Sequence, residues 1–462
     1  MSDTQTAASM RINSMLDANS FVEIGGMVTA RATDFNLSAK AAPNDGVITG
    51  YGTVEGSLVY VYSQDVSVLG GTIGEMHAKK IVNLYTLARR TGAPVIGILD
   101  SNGVRLEEST DALIALGQIY RTMVLASGVI PQITAVFGSC GGGLSFIPAL
   151  SDFAFMTDSA KLFVNVPDAV IGESVDTLSN QSAEYQAESN NVAVIGTEEE
   201  VYAKVRQLIS LLPVNNADEG DIVPCNDDPN RSVAGIETLT KEASDVLAQI
   251  ADNGIFFETG KTARHNMVTG FLRLNGLTVG AVANRGAKDT LCPMDAGKAA
   301  RFIEFCDAFN IPVLTLVNVQ GLARKERAER MLPKAAARLT YAYANATVPK
   351  VTLVTGKAYG SAYVVMGSKA LVDYVYAWPN AEIGAMDPKL AGKVLAADGD
   401  AAAQRKAAAE YQALQSNVAS AAARGYVDTV IDAADTRKYL IGAFEMLYTK
   451  RESRPEKKHG TI

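Results

Sequence analysis

Hydrophobic and polar positions along the chain follow two periods, and the same order of periods occurs twice. The stretch "TGYGTVEGSLVYVYSQD" alternates apolar and polar residues on either side of Glu55-Gly56, and "TGFLRLNGLTVGAVANR" does so around Asn275-Gly276. Alternation around such a dipeptide predicts a β-hairpin. Each hairpin is followed by a helical stripe. It is carried by Ile81, Leu84, Tyr85 and Ala88 in the first half, and by Ala299, Phe302, Ile303 and Phe305 in the second. Next come the short apolar runs "PVIGIL" and "PVLTLV", continuous enough for strands covered on both faces. A second helix then leads to "QITAVF" or "KVTLVT", and each of these ends in a glycine-rich loop.

Punctuation residues align the halves. Gly52 with Gly270, Pro94 with Pro312, Gly103 with Gly321 and Gly142 with Gly360 are all matched at an offset of 218 positions. Strand and helix alternating in two similar halves predict two α/β domains of one topology, taken as residues 1–230 and 231–462. Between the repeats, Glu198–Leu212 reads as an amphipathic helix, residues 215–230 as a polar interdomain loop, and Ile236–Ile250 as another helix. The alanine-rich stretch from Ala391 to Arg424 reads as helical.

Composition narrows the class. The chain has 462 residues, 48% of them hydrophobic, with 42 basic and 50 acidic side chains and a formal charge of -8. This is the profile of an ordinary globular protein, and its acidic balance argues against nucleic-acid binding. Cys140, Cys225, Cys292 and Cys306 are scattered, with no zinc-ligand spacing, so neither a metal site nor a disulfide framework is expected. Reduced thiols and the absence of a signal-like or membrane-spanning apolar run point to the cytoplasm.

Chemistry is expected where the glycines cluster. Gly138-Ser-Cys-Gly-Gly-Gly143 precedes Leu144–Ala149, and Gly356-Lys-Ala-Tyr-Gly-Ser361 precedes Ala362–Met366. Glycines let backbone N–H groups face outward, and a helix start adds unpaired amides, so each loop suits a developing oxyanion. Two equivalent loops suggest two carbonyl oxygens to stabilise. Nucleotide motifs fail at both. Gly138-Ser-Cys140-Gly-Gly142 has the shape of a nucleophile elbow, but a small buried thiol is the plainer reading of Cys140. Of the three histidines, His77 reads as a packing or capping residue and His459 lies in a basic tail. Two oxyanion sites without an evident side-chain base suggest that a bound cofactor supplies the base.

These motifs resemble the β-type carboxyltransferase subunits of biotin-dependent acyl-CoA carboxylases and decarboxylases. The resemblance runs through "YVYSQDVSVLGGTIGEMHAKKI", "TGAPVIGILDSNGVRLEE", "GSCGGGLSFIPALSDF", "YAYANATVPKVTLVTGKAYGSAYVVMGSK" and "VYAWPNAEIGAMDP". It implies two tandem crotonase-like domains and a hexamer whose active site lies between the N-domain of one protomer and the C-domain of another. It also implies that the Gly142 and Gly143 amides hold an acyl-CoA thioester oxygen, with Cys140 and Gly141 beside them. The Ser361 and Ala362 amides would hold the ureido oxygen of biotin, with Tyr359 and Gly360 lining that site and Val364 shaping the acyl pocket. In the family mechanism carboxybiotin releases CO2, the biotin enolate takes the α-proton of the acyl-CoA, and the acyl enolate attacks the CO2. No biotin-attachment lysine follows a methionine here, so biotin is expected on a separate carrier chain. Biotin carboxyl carrier protein is thus an expected partner, with a biotin carboxylase or a membrane decarboxylase subunit.

The chain departs from the family where Ser361 replaces a glycine, along Val317–Lys325, after "FVNVPDAVIGESV", and near Thr290–Met294. Two alternatives stay open. One is a biotin-independent crotonase-type enzyme using Glu173 or Glu107. The other is a non-catalytic scaffold subunit.

Overall fold

The computed structural model describes residues 6–31, 42–166, 170, 178–218, 220, 222–263, 266–286 and 290–455. They fall into two compact units, Met1–Glu219 with Gly260–Arg264, and Gly220–Thr259 with His265–Ile462.

The strands of unit 1 are β1 (Val22–Glu23), β2 (Val47–Val54), β3 (Ser57–Gln64), β4 (Val95–Ser101), β5 (Gln132–Gly141), β6 (Phe153–Thr157), β7 (Lys161–Phe163) and β8 (Val194–Gly196). They form one sheet in the order β1-β2-β3-β4-β5-β6-β8, with β7 paired to the end of β5. Only β1–β2 and β2–β3 are antiparallel. The helices are α1 (Ala7–Met15), α2 (Glu75–Thr91), α3 (Ser109–Ala126), α4 (Phe146–Leu150), α5 (Ala183–Glu188) and α6 (Glu198–Leu211).

Unit 2 repeats the plan. Its strands are β9 (Phe256–Thr259), β10 (Met267–Leu274), β11 (Leu277–Asn284), β12 (Val313–Val319), β13 (Lys350–Tyr359), β14 (Tyr374–Ala377), β15 (Glu382–Gly384) and β16 (Thr429–Val430). The order is β16-β14-β13-β12-β11-β10-β9, with β15 paired to the end of β13. Its helices are α7 (Ala243–Ile250), α8 (Pro293–Ala308), α9 (Glu326–Asn345), α10 (Gly360–Val365), α11 (Pro388–Leu395), α12 (Ala401–Tyr411), α13 (Val418–Ala423) and α14 (Thr436–Leu447). This is the duplicated α/β architecture that the alternating pattern predicts.

The core follows the stripes. β4 and β12 are buried at every position, as strands covered on both faces must be. Ile81, Leu84, Tyr85 and Ala88 of α2 are buried, as are Ala299, Phe302, Ile303 and Phe305 of α8. Each large apolar side chain sealed this way contributes about 1.5–3 kcal/mol. Both hairpins turn through left-handed pairs, Glu55-Gly56 and Asn275-Gly276, as a two-residue connection between right-twisted strands requires. Asp17 accepts from the amides of Glu55 and Gly56, and Asp252 from those of Asn275 and Gly276. Arg206 then pairs with Asp17, and Arg437 with Asp252.

Four details differ from the sequence reading. First, the partner of Gly270 is Gly50, not Gly52. Gly50 lies opposite Val61 and Gly270 opposite Ala281, which sets the hairpin offset at 220. A Cβ on either glycine would come within 2.3 or 2.2 Å of a carbonyl oxygen on the next strand. The offset falls to 218 by α2 and α8, so the two extra residues lie between Gln64 and Glu75. Second, the glycine-rich segments are strand as far as Gly141 and Tyr359, because β7 and β15 pair with them there. Third, Ile236–Ile250 is a 3-10 turn at Ile236–Leu239 followed by α7, whose N-cap is Glu242. Fourth, the alanine-rich stretch is not one helix. α11 ends at Leu395, Asp400 caps α12, and Asn417 caps α13. Carboxylate and amide side chains that accept from new first-turn amides outweigh alanine propensity.

Candidate functional site

Each unit ends its longest strand in the same way. The register between β4 and β5 shifts between Leu99 and Ser101, and that between β12 and β13 shifts between Val317 and Val319. The shift brings an acidic or amide side chain against a glycine. A Cβ on Gly138 would lie 2.0 Å from Asp100 Oδ1, and one on Gly356 would lie 2.6 Å from Asn318 Oδ1. Any larger residue at these two crossings would have to displace that carboxylate or amide. Asp100 is held by Arg11 at 2.8 Å, whereas Asn318 Oδ1 accepts from the Lys357 amide at 3.0 Å.

The strands then turn at Gly142 and Gly360, with φ of 61° and 60°. A left-handed residue at a strand end swings the next peptides out of the ladder. The turn enters a 3-10 segment (Gly142–Ser145) in unit 1 and α10 in unit 2. First-turn amides have no carbonyl one turn earlier to bind. Both following helices are short, so the turn itself, rather than a long helix dipole, makes these amides available.

In unit 1, Cys140 is fully buried and burial pushes its thiol up to about 12, which makes it a packing residue and not a nucleophile. Beside it, the Phe163 ring occupies the space over Gly141, 2.5 Å from where a Cβ would stand. The Tyr120 hydroxyl donates to the Gly143 carbonyl, and Ser145 Oγ donates to that of Gly142 at 2.7 Å. Both carbonyls bordering the turn are therefore pinned.

In unit 2, Tyr359, Gly360, Ser361 and Ala362 line a cleft of about 540 Å³. Its far walls come from Gln320–Arg324, α9 and the residues leading into α11, with Leu332 and Met386 prominent. Gln320–Arg324, within the Val317–Lys325 segment, thus forms part of this cleft. Ser361 is in α10 with ordinary φ, so its Cβ adds no backbone strain. Ala362 is buried and Ser361 exposed. Val364 is 50% exposed and is not among the residues lining the cleft.

His77 is buried at the start of α2. Its Nδ1 donates to the Asp45 carbonyl at 2.9 Å and its Nε2 accepts from Gln64 at 3.3 Å. Burial, with the Arg105 charge, pushes its pKa down to about 3, so the ring is neutral. Glu107 is half-buried in the 3-10 turn Leu106–Glu108. Glu173, His265 and His459 lie outside the described residues. Among the described residues, no three His, Cys, Asp or Glu side chains gather to hold a metal, and no helix is long and apolar enough to cross a membrane.

Sequence reasoning missed a duplicated pair of buried lysines. Lys80 Nζ donates to the Val47 carbonyl, and Lys298 Nζ to that of Met267 at 3.0 Å. Burial pushes both down to about 8. Their identical place in the repeat was the available signal.

The chain matches the carboxyl transferase domain family over residues 3–462. It is 42% identical to the propionyl-CoA carboxylase beta chain of Roseobacter denitrificans, over 98% of this chain and 92% of that one. It is 40% identical to the methylmalonyl-CoA decarboxylase subunit alpha of Veillonella parvula, with the same coverage. The crystal structure of transcarboxylase 12S, a hexamer assembly with hydrolysed methylmalonyl-coenzyme A bound, superposes with a TM-score of 0.94. That match has 38% identity and covers 99% of this chain and 92% of that one.

Proposed function

The chain belongs to the carboxyl transferase family and is a carboxyltransferase of the propionyl-CoA carboxylase, methylmalonyl-CoA decarboxylase and transcarboxylase type, and from that premise we propose that each strand-end turn is one half of its site. The Gly142 and Gly143 amides hold the thioester oxygen of an acyl-CoA of the propionyl or methylmalonyl class. The Ser361 and Ala362 amides hold the ureido oxygen of biotin. The observation that carries this reading is the recurrence, at equivalent places, of a left-handed glycine closing the longest strand. One such turn is common, whereas two in register suit a reaction with two oxyanions.

The second cleft fits a biotin ring system. Its walls are mainly apolar, with the Tyr359–Ala362 turn on one side and Gln320, Arg324, Glu329 and Asp387 as further polar lining. Bound there, biotin supplies the carboxyl carrier and the base that these turns lack as side chains. The chain's own part is to orient two carbonyl groups and to present preorganised donors. Each donor is worth about 2.7–4 kcal/mol of barrier when the charge develops.

Biotin arrives on a separate carrier chain, delivered by a biotin carboxylase or a membrane decarboxylase partner. The protein self-associates as a hexamer, as the transcarboxylase 12S structure is assembled. Val364, on the exposed face of α10, borders the acyl group.

The test is biotin-dependent loss of CO2 from methylmalonyl-CoA or malonyl-CoA, with a Gly142→Pro variant alongside. Proline cannot adopt the φ of 61° and has no N–H. Turnover that needs biotin and disappears in the variant supports the reading. Thioester binding without turnover under any biotin supply overturns it.

A further inference from the structure

The two strand ends are anchored by different chemistry. In unit 1 the position before the left-handed glycine is Gly141, and the Phe163 ring of β7 packs over it. In unit 2 the same position is Tyr359, 1% exposed, whose hydroxyl donates to Glu382 on β15. Burial, then the carboxylate partner, holds the Tyr359 phenol well above its ordinary pKa, so it stays a donor.

Glu382 is in turn held from outside the sheet. Gln412 Nε2 donates to its Oε1 at 3.3 Å, and Glu382 makes an isolated antiparallel bridge to Asn417. Between these two lies a π-helical turn, Gln412–Ser416, joining α12 to α13. Such turns are rare and are frequently found at functional sites. This one packs against β15: Ser416 Cβ lies 3.0 Å from where a Cβ on Gly384 would stand, and Tyr411 Oη accepts the Ala385 amide at 3.1 Å. The Ala385 carbonyl lies 3.1 Å from where a Cβ on Gly360 would stand, so the chain of contacts ends at the turn itself.

We infer that Glu382 is a positioning residue for the second site: backed by the Gln412–Ser416 turn, it holds Tyr359 and so fixes the strand end that presents the Ser361 and Ala362 amides. The inference rests on the carboxyl-transfer reading above and assigns to that site a second tier with no polar counterpart at Gly141.

The experiment compares Glu382→Ala, Glu382→Gln, Tyr359→Phe and the Glu382→Ala/Tyr359→Phe double variant in the full chain. Free biotin and the thioester that the wild type decarboxylates are varied separately. Glu382→Ala and Tyr359→Phe should each lower kcat/KM for biotin by on the order of tenfold or more, since small misplacements are magnified in rate. KM for the thioester should stay within about twofold, because the first site is untouched. Glu382→Gln keeps an acceptor oxygen and should recover most of the loss. The double variant should be no worse than the poorer single one, since both break one contact.

Additive losses, an unchanged kcat/KM for biotin in Glu382→Ala, or equal losses toward both substrates would each overturn the inference. Should Glu382→Ala not fold, Tyr359→Phe decides by the same split between substrates. A wild-type protein without biotin-dependent turnover overturns the carboxyl-transfer reading and this inference with it. Wild-type turnover with unaffected variants overturns this inference alone.

Discussion

Replacing Gly142 by alanine adds one methyl group at a residue whose φ is 61° and where a Cβ would meet no atom within 4 Å. Crowding is therefore absent, and the penalty is that of an L residue in the left-handed region, about 1–2 kcal/mol. In a unit of this size each kcal/mol moves Tm by roughly 2–4 °C, so a drop of about 2–8 °C is expected. Gly360→Ala starts from a φ of 60° and also brings its Cβ to 3.1 Å from the Ala385 carbonyl, so it should destabilise more. Either chain can relieve the strain by rotating out of the left-handed region. That rotation swings the following amide away from its present direction. Losing one aligned donor should lower biotin-dependent turnover by about 10²–10³-fold. Thermal unfolding and steady-state decarboxylation, read on the same preparations, give both numbers. A Gly142→Ala protein with full turnover would refute the argument that this turn presents a catalytic amide, whatever its Tm.

Arg105→Met should remove about 3–5 kcal/mol, because Asp45 at 2.5 Å and Glu108 at 2.9 Å would be left buried without their cation. Burial already raises the Asp45 pKa against the pull of Arg105, so in the variant that carboxyl would protonate more readily. The deficit in urea unfolding should therefore shrink from pH 8 to pH 5, and a constant deficit would contradict this. His77 stays neutral down to about pH 3 in the fold but titrates near 6.5 when unfolded, so the unfolded chain takes up the proton first. Stability should fall as pH drops below about 6.5, by up to about 1.4 kcal/mol per unit, and His77→Gln should flatten that slope in a Tm-against-pH series. Iodoacetamide at pH 8 should spare Cys140, which is fully buried with its thiol pushed up to about 12, while half-buried Cys225 reacts. Peptide mass spectrometry would show the pattern, and alkylated Cys140 in native protein would contradict it.

The architecture was legible because its signals are periodic and local. Ile81, Leu84, Tyr85 and Ala88 have no other use for their spacing, and Glu55-Gly56 and Asn275-Gly276 turn as the dipeptides demand. The register was less legible. Gly52 and Gly50 are both glycines in one alternating strand, and the hairpin pairing together with the close approach of the Val22 and Phe257 carbonyls marks Gly50 as the counterpart of Gly270. The glycine segments read as loops because glycine disfavours strands. Pairing with β7 and β15, which lie 20 or more residues away, overrides that preference. Propensity likewise ran the alanine stretch together, and the caps at Asp400 and Asn417 divided it. The polar contacts were the least legible. Lys80 with Val47, Arg437 with Asp252, and Tyr359 with Glu382 join residues far apart in sequence.

The strand-end turns carry their proposed donors on the main chain, and this changes how such a site can vary. Every residue except proline brings an N–H, so a serine at 361 can serve as a glycine would. Substitution there tunes the walls without removing the donor. An alanine scan would pass over Ser361 and report it as neutral, whereas a proline scan would find it at once. What drift cannot change is the pair of left-handed glycines, because there the requirement falls on the backbone angle and not on any functional group.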